Sequence, residues 1–136
     1  MKYVDSNVFL YSVLYSPDLE PKAKRAKEVL QKIENKELIA ATSTLTWDEV
    51  VWVAIKLLGR SDGIAQGQKL LGFPNLAFIN VDEGVIAHAQ SLMDKYRISP
   101  RDSIHVASAL SRKATLIISD DEDFDQIKEI KRTPLK

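Results

Sequence analysis

The stretch TLIISDDEDFD, residues 115–125, leaves a β-prone run and crowds Asp120, Asp121, Glu122, Asp123 and Asp125 around a single Phe124. Carboxylates at that spacing repel one another, and the repulsion becomes useful only when a cation relieves it. Further acids stand at Asp5, Glu49 and Asp102, far apart in the chain and each close to an expected helix start. Hard divalent cations such as Mg²⁺ and Mn²⁺ take oxygen ligands and keep several waters. Three or four carboxylates, with no cysteine and no paired histidine, suit them better than zinc. One such ion lowers the pKa of a water that attacks a phosphodiester, and a second, about 3.5–4 Å away, steadies the leaving oxygen. Metal-assisted phosphodiester hydrolysis is the chemistry these residues offer.

Each acid also has a plain structural reading. In SPRD, Ser99 reads as an N-cap, Pro100 as the first helical residue and Asp102 as an acid complementing the helix dipole. TWDE permits a similar box with Thr46 as cap and Glu49 reaching back, and Asp5, Asp120 and Asp121 are all possible caps. Glu49 is the least comfortable of the set. It shares a helical stripe with Leu45, Trp52 and Val53, and no Lys or Arg occurs between Glu37 and Lys56. A carboxylate there needs a partner, and a bound metal and a distant arginine both meet the need. His105, one turn after Asp102, reads as a helix-packing histidine hydrogen-bonded to backbone, and His88 has a weaker claim to chemistry.

The elements that must position these acids alternate along the chain. Strands are expected at KYVD, ELIAAT, NLAFINVD and TLIIS, with a brief edge strand in IKRTPL. Between them NVFLYSVLYS, PKAKRAKEVLQKIEN, TLTWDEVVWVAIKLLG, EGVIAHAQSLMDKY and SPRDSIHVASALSRKA read as helices, SDGIAQGQKLL as a weaker helix broken by glycine, and DEDFDQI as a short one. This order predicts an α/β fold, a three-layer α/β/α sandwich with a mainly parallel, four- to five-stranded central sheet. In such sheets the ligand crevice lies beyond the carboxyl ends of the strands. Asp5 ends the first strand and Asp120 and Asp121 the fourth, while Glu49 and Asp102 open helices, so all can face one crevice. The apolar helix around Trp47 and Trp52 needs cover on more than one side, from a neighbouring helix or from a second copy.

With 136 residues and no linker or repeat, residues 1–136 are expected to form one domain. Nineteen basic residues balance nineteen acidic ones, so net charge does not mark a duplex-binding protein, although an acidic site inside a basic rim is compatible with neutrality. The absence of cysteine excludes disulfide frameworks and predicts a cytoplasmic protein. Asp5 interrupts the apolar start, no small-residue cleavage site follows, and no segment reaches the length of a membrane span.

Four blocks, VDSNVFLY, TWDEVVW, RDSIHVASAL and IISDDEDFD, in this order and over nearly the whole chain, resemble the PIN-domain family of metal-dependent ribonucleases, and within it the VapC-like toxins of toxin–antitoxin pairs. The resemblance implies an endoribonuclease using one or two Mg²⁺ or Mn²⁺ ions and metal-activated water. Asp5, Glu49 and Asp102 match the first three acidic positions, Asn7 supports the first loop, and Ser119 takes the small hydroxyl position. The fourth acid is Asp121 in one register and Asp120 in the other, and Asp123 resembles an additional acidic position. A homodimer and a small antitoxin partner are implied too. Arg101, Arg97 and Lys113 have positions closest to the expected site for contacts with RNA, ahead of the run Lys22, Lys24, Arg25 and Lys27. Two other readings stay open. One is a catalytically inactive PIN-like RNA-binding or regulatory scaffold. The other is an aspartate-based phosphatase or phosphotransfer domain, disfavoured because Asn7 stands where a second Asp is usual and because Asp82 lacks the rest of a receiver pattern.

Overall fold

The structure is a computed structural model and describes residues 1–135. Five strands, β1 (Lys2–Val4), β2 (Ala40–Ser43), β3 (Leu76–Ile79), β4 (Leu116–Ile118) and β5 (Lys131–Thr133), form one sheet in the order β3-β2-β1-β4-β5. Every neighbouring pair is parallel, so the expected edge strand is present and the sheet is parallel throughout. Six helices connect the strands: α1 (Ser6–Leu14), α2 (Pro21–Glu34), α3 (Thr44–Leu58), α4 (Arg60–Leu71), α5 (Glu83–Lys95) and α6 (Pro100–Ser111), with a 3₁₀ turn at Glu122–Gln126.

Because successive strand residues face opposite sides, the short strands β1 to β4 each supply both layers. Tyr3, Ala41 and Ile117 enter a core with Val85, Leu92, Val106 and Phe124, under α5, α6 and the 3₁₀ turn. Val4, Ala40 and Ile118 enter a second core with Phe9, Ala26, Ile33, Val50 and Leu70, under α1 to α4. The three-layer α/β/α architecture follows. The strand order reverses between β1 and β4, which makes their carboxyl ends the switch point where such sheets open a crevice.

Helix α3 ends where expected, at Gly59, whose φ of 94° suits a residue without Cβ. Its start differs. Ser43 is the N-cap, the helix begins at Thr44, and Thr46 is already inside it with its hydroxyl 2.6 Å from that of Thr42. Thr46 is therefore not a cap and Glu49 does not close a capping box. Helix α4 is unbroken, contrary to the glycine reading. Gly63 and Gly67 are the surface on which α3 lies: a Cβ at Gly63 would sit 2.7 Å from the Ile55 backbone nitrogen, and one at Gly67 would sit 2.7 Å from Val51 Cγ2 and 2.8 Å from Trp47 Nε1. Close packing by α4 thus covers part of α3, while Trp52 stays 54% exposed with Lys56 Nζ 5.4 Å from its ring centroid.

Since the obstacle at Gly63 is backbone, it cannot rotate away. Gly63→Ala is expected to lower stability by about 1–3 kcal/mol through overpacking, whereas Gly72→Ala, whose added Cβ would meet its nearest neighbour at 3.5 Å, is expected to leave it within about 0.5 kcal/mol. Urea denaturation of the two variants checks this contrast.

Candidate active site

The carboxyl ends of β1 and β4 meet through Ser119. Its hydroxyl donates to Asp5 Oδ2 at 2.6 Å and accepts from the Asp121 backbone N–H at 3.0 Å and from Asn7 Nδ2 at 3.2 Å. Asp5 Oδ1 accepts from the Ser6 backbone N–H at 2.8 Å, so Asp5 both caps α1 and belongs to the crevice. Burial raises the pKa of Asp5 above the ordinary carboxylate value, with His105 and Ser119 pulling in the opposite direction.

Asp102 stands in the first turn of α6. Ser99 accepts its backbone N–H at 3.1 Å, as the cap reading required, and the Asp102 side chain still faces the crevice acids. Among the described residues, the acids whose ligand atoms come within 4.8 Å of one another are Asp102, Asp121 and Asp123. Asp102 comes from α6 and the other two from the start of the 3₁₀ turn. Asp121 Oδ1 accepts from the Asp123 N–H at 2.9 Å, so the turn sets the relation between those two. The pKa of Asp102 is raised from 3.8 to about 6, first by burial, then by the charges of Asp121 and Asp5. All donors in this group are carboxylate oxygens, which fits Mg²⁺ or Mn²⁺ and not a thiolate-seeking metal.

Asp120, the alternative fourth acid, is held elsewhere. Its Oδ2 accepts from Lys22 Nζ at 2.5 Å and from the Tyr11 hydroxyl at 3.3 Å, which ties the acidic loop to α1 and α2. Arg132 completes the support from β5, donating to both Asp125 carboxylate oxygens at 2.8 Å and to the Ser119 carbonyl at 3.3 Å. Asp82, the other acid after a strand, caps α5 at the edge of the sheet, where it accepts from the Val85 N–H.

The counter-charge that Glu49 needs is neither a distant arginine nor necessarily a metal. His105 supplies it. The imidazole is completely buried, its Nε2 is hydrogen-bonded to Glu49 Oε1 and lies 3.6 Å from Asp5 Oδ1, and its Nδ1 lies 2.6 Å from the Tyr3 hydroxyl. His105 thus bonds side chains, not backbone, which corrects the sequence expectation. Burial on its own would lower the basicity of His105; Tyr3, Glu49 and Asp5 overcome this and hold its pKa well above the ordinary imidazole value. The sequence contained a signal for this group. His105 follows Asp102 at the i,i+3 spacing that puts both on one helix face, and Tyr3 precedes Asp5 by the two residues that put both on one strand face.

The basic residues separate. Arg101 Nη2 lies 4.0 Å from Asp48 Oδ2, on the exposed rim beside Asp102. Arg97 precedes α6, and its carbonyl accepts from Gln126 Nε2. Lys113 lies past the other end of α6, roughly 16 Å along the helix axis from Asp102 at ~1.5 Å per residue, so it is not close to the acids as expected. Of the Lys22–Lys27 run, Lys22 reaches the acidic loop, whereas Arg25 pairs with Glu28 at 3.4 Å.

No curated protein matches the sequence. Among solved structures, VapBC2 of Rickettsia felis, bound to a DNA fragment from its promoter, superposes with a TM-score of 0.76 at 16% identity over 98% of each chain. VapC20 of Mycobacterium tuberculosis, described as a sarcin-ricin loop cleaving toxin, gives 0.75 at 14% identity over 94% of this chain and 95% of that one. A toxin–antitoxin complex from Klebsiella pneumoniae gives 0.70 at 19% identity over 96% of each. These likenesses establish a common fold. The PIN domain family model matches residues 2–130, nearly the whole chain, and the chain belongs to the PIN-domain family.

Proposed function

We propose that residues 1–136 act as one Mg²⁺- or Mn²⁺-dependent endoribonuclease, the toxin of a toxin–antitoxin pair. The observation that carries this reading is the convergence of the Asp102, Asp121 and Asp123 carboxylates on one point of the crevice, with Asp5 near enough to raise the Asp102 pKa. Asp102, Asp121 and Asp123 hold the cation, with Asp5 at its side and Glu49 completing the site. One or two bound cations supply an acidified water and charge neutralisation at the phosphate. Glu49, held by His105 and 18% exposed at its side chain, faces the crevice as an acceptor that orients that water. Ser119 and Asn7 fix Asp5, and Arg101 on the rim draws in RNA phosphates.

Trp47, Trp52, Leu57, Leu58, Ile64 and Leu71 leave apolar surface exposed along α3 and α4, which supports a second copy of the chain as partner. A small antitoxin covering the acidic crevice would silence the enzyme, and toxin–antitoxin complexes are among the similar folds. The cysteine-free sequence supports a cytoplasmic setting. No helix among the described residues is long and apolar enough to cross a membrane.

A mixed RNA pool incubated with the purified chain tests the reading. Internal cleavage is expected with Mn²⁺ or Mg²⁺, its loss on adding EDTA, and its return with excess Mn²⁺. Cleavage indifferent to the chelator, or none in any metal, would falsify it.

A further inference from the structure

We propose that His105 is a positioning residue of this site, a buried imidazole pinned at one nitrogen by Tyr3 so that the other holds Glu49 in place beside Asp5. The proposal rests on the nuclease reading for its kinetic consequences and on geometry for itself. A histidine needed only to fill space would be poorly chosen here. Each buried ring nitrogen requires a partner, and a leucine of similar size requires none. Both nitrogens of His105 have side-chain partners drawn from different elements, Tyr3 on β1 and Glu49 on α3, while His105 itself rides on α6 one turn from Asp102. The ring of Tyr3 meets the imidazole edge-on, with centroids 5.6 Å apart and planes at 63°, and its hydroxyl lies 2.6 Å from Nδ1.

The direction of the bonds follows from the partners. An ionised carboxylate only accepts, so Nε2 carries a proton toward Glu49 in either charge state of the ring. Tyr3 then donates to Nδ1 of the neutral ring or accepts from Nδ1–H of the charged one, and it fixes the ring plane in both cases. Glu49 otherwise has three side-chain torsions and open solvent on one side. With Oε1 engaged by His105, whose Nε2 also lies 3.6 Å from Asp5 Oδ1, the carboxylate is held beside Asp5. One helix, α6, therefore places a metal-binding acid with Asp102 and orients another element's acid with His105.

The test combines kinetics and NMR on the full chain. Tyr3→Phe removes one oxygen and is expected to lower kcat about 10-fold with KM for RNA changed less than about 2-fold, as for partners that orient metal-site ligands. His105→Leu is expected to lose about 100-fold, and His105→Gln, which keeps an N–H near the Nε2 position, to recover most of that loss. In a Glu49→Gln background, Tyr3→Phe is expected to add no further loss, because the two act as one unit. Independently of activity, the protected Nε2–H proton of cation-free protein is expected as a slowly exchanging downfield ¹H signal that moves upfield in Glu49→Gln and persists in Asp102→Asn. A signal unresponsive to Glu49→Gln, or a Tyr3→Phe enzyme with unchanged kcat, overturns the proposal. If the wild type cleaves no RNA, the nuclease reading fails and the NMR response alone decides the role of His105.

Discussion

Asp102→Asn is expected to lose more than about 100-fold in Mn²⁺-dependent RNA cleavage and, at the same time, to melt higher than the wild type in the absence of cation. The first effect follows from rank within the site. Outer partners of metal ligands already cost roughly 10–100-fold when removed, and Asp102 is proposed as a ligand itself. The second follows from the charge crowding that burial, Asp121 and Asp5 impose on its carboxyl. Its pKa in the folded state, about 6, lies above the ordinary 3.8, so the folded state holds a proton that the unfolded chain releases. Stability therefore falls as the pH rises from about 4 to about 6 and stays reduced above that range. An asparagine never ionises and escapes this loss. After allowance for solvent screening of a partly exposed group, the advantage is roughly 1 kcal/mol at pH 7.5, a gain of about 3–5 °C for a chain of this size. The advantage should be smaller at pH 5. Adding Mn²⁺ should reverse the order at pH 7.5, because only the wild type gains a ligand. Scanning calorimetry of both proteins at the two pH values, with and without Mn²⁺, checks the three stability expectations, and an RNA cleavage assay checks the first. A variant that melts lower than the wild type without cation, or gains as much from Mn²⁺, would remove Asp102 from the proposed centre.

The same physics explains what the chain alone disclosed. Strand ends and helix starts are local properties, carried by Asp5, Ser99-Pro100 and Ser119, so the architecture and the approach of the acids to one crevice were legible. The glycines of α4 suggest a broken helix because a glycine's local cost is visible in sequence, while the helix that presses against Gly63 and Gly67 is not. The apolar stripe around Glu49 shows in sequence that this acid needs a partner, and a metal and a distant arginine both fit that local pattern. Its partner was His105, on another helix, and only the parallel register that sets Tyr3 beside Ile117 and Ala41 brings that group together. The position of Lys113 is hidden for a related reason. A helix packed on a sheet carries its two ends to opposite ends of the strands, so closeness in sequence to Asp102 does not mean closeness in space.

The ambiguity between adjacent acids gives the sharpest mutational contrast. Asp121→Asn is expected to lose more than about 100-fold in cleavage, and Asp120→Asn less than about 5-fold, equivalent to the ~0.2–1 kcal/mol of a surface ion pair. The chain bends at Asp120, and the backbone of Ser119 to Asp121 is tightly held. The Asp121 N–H is bound by Ser119, and the Ser119 carbonyl by Arg132. With the backbone set in this way, Asp121 turns toward Asp102 and Asp123, and Asp120 turns toward Lys22 and Tyr11. A cation that drew in Asp120 instead would have to break a direct ion pair and a tyrosine hydrogen bond while leaving Asp121 unpaired beside Asp102. That exchange exposes two like charges to each other and gains no donor, so it is disfavoured at every step. Lys22→Ala separates the alternatives further, because it frees Asp120 without touching the three grouped carboxylates. Mn²⁺ affinity measured by titration calorimetry should be unchanged in Lys22→Ala and in Asp120→Asn, and lost in Asp121→Asn. Equal losses in the two aspartate variants would mean that the loop re-registers around the ion by one residue.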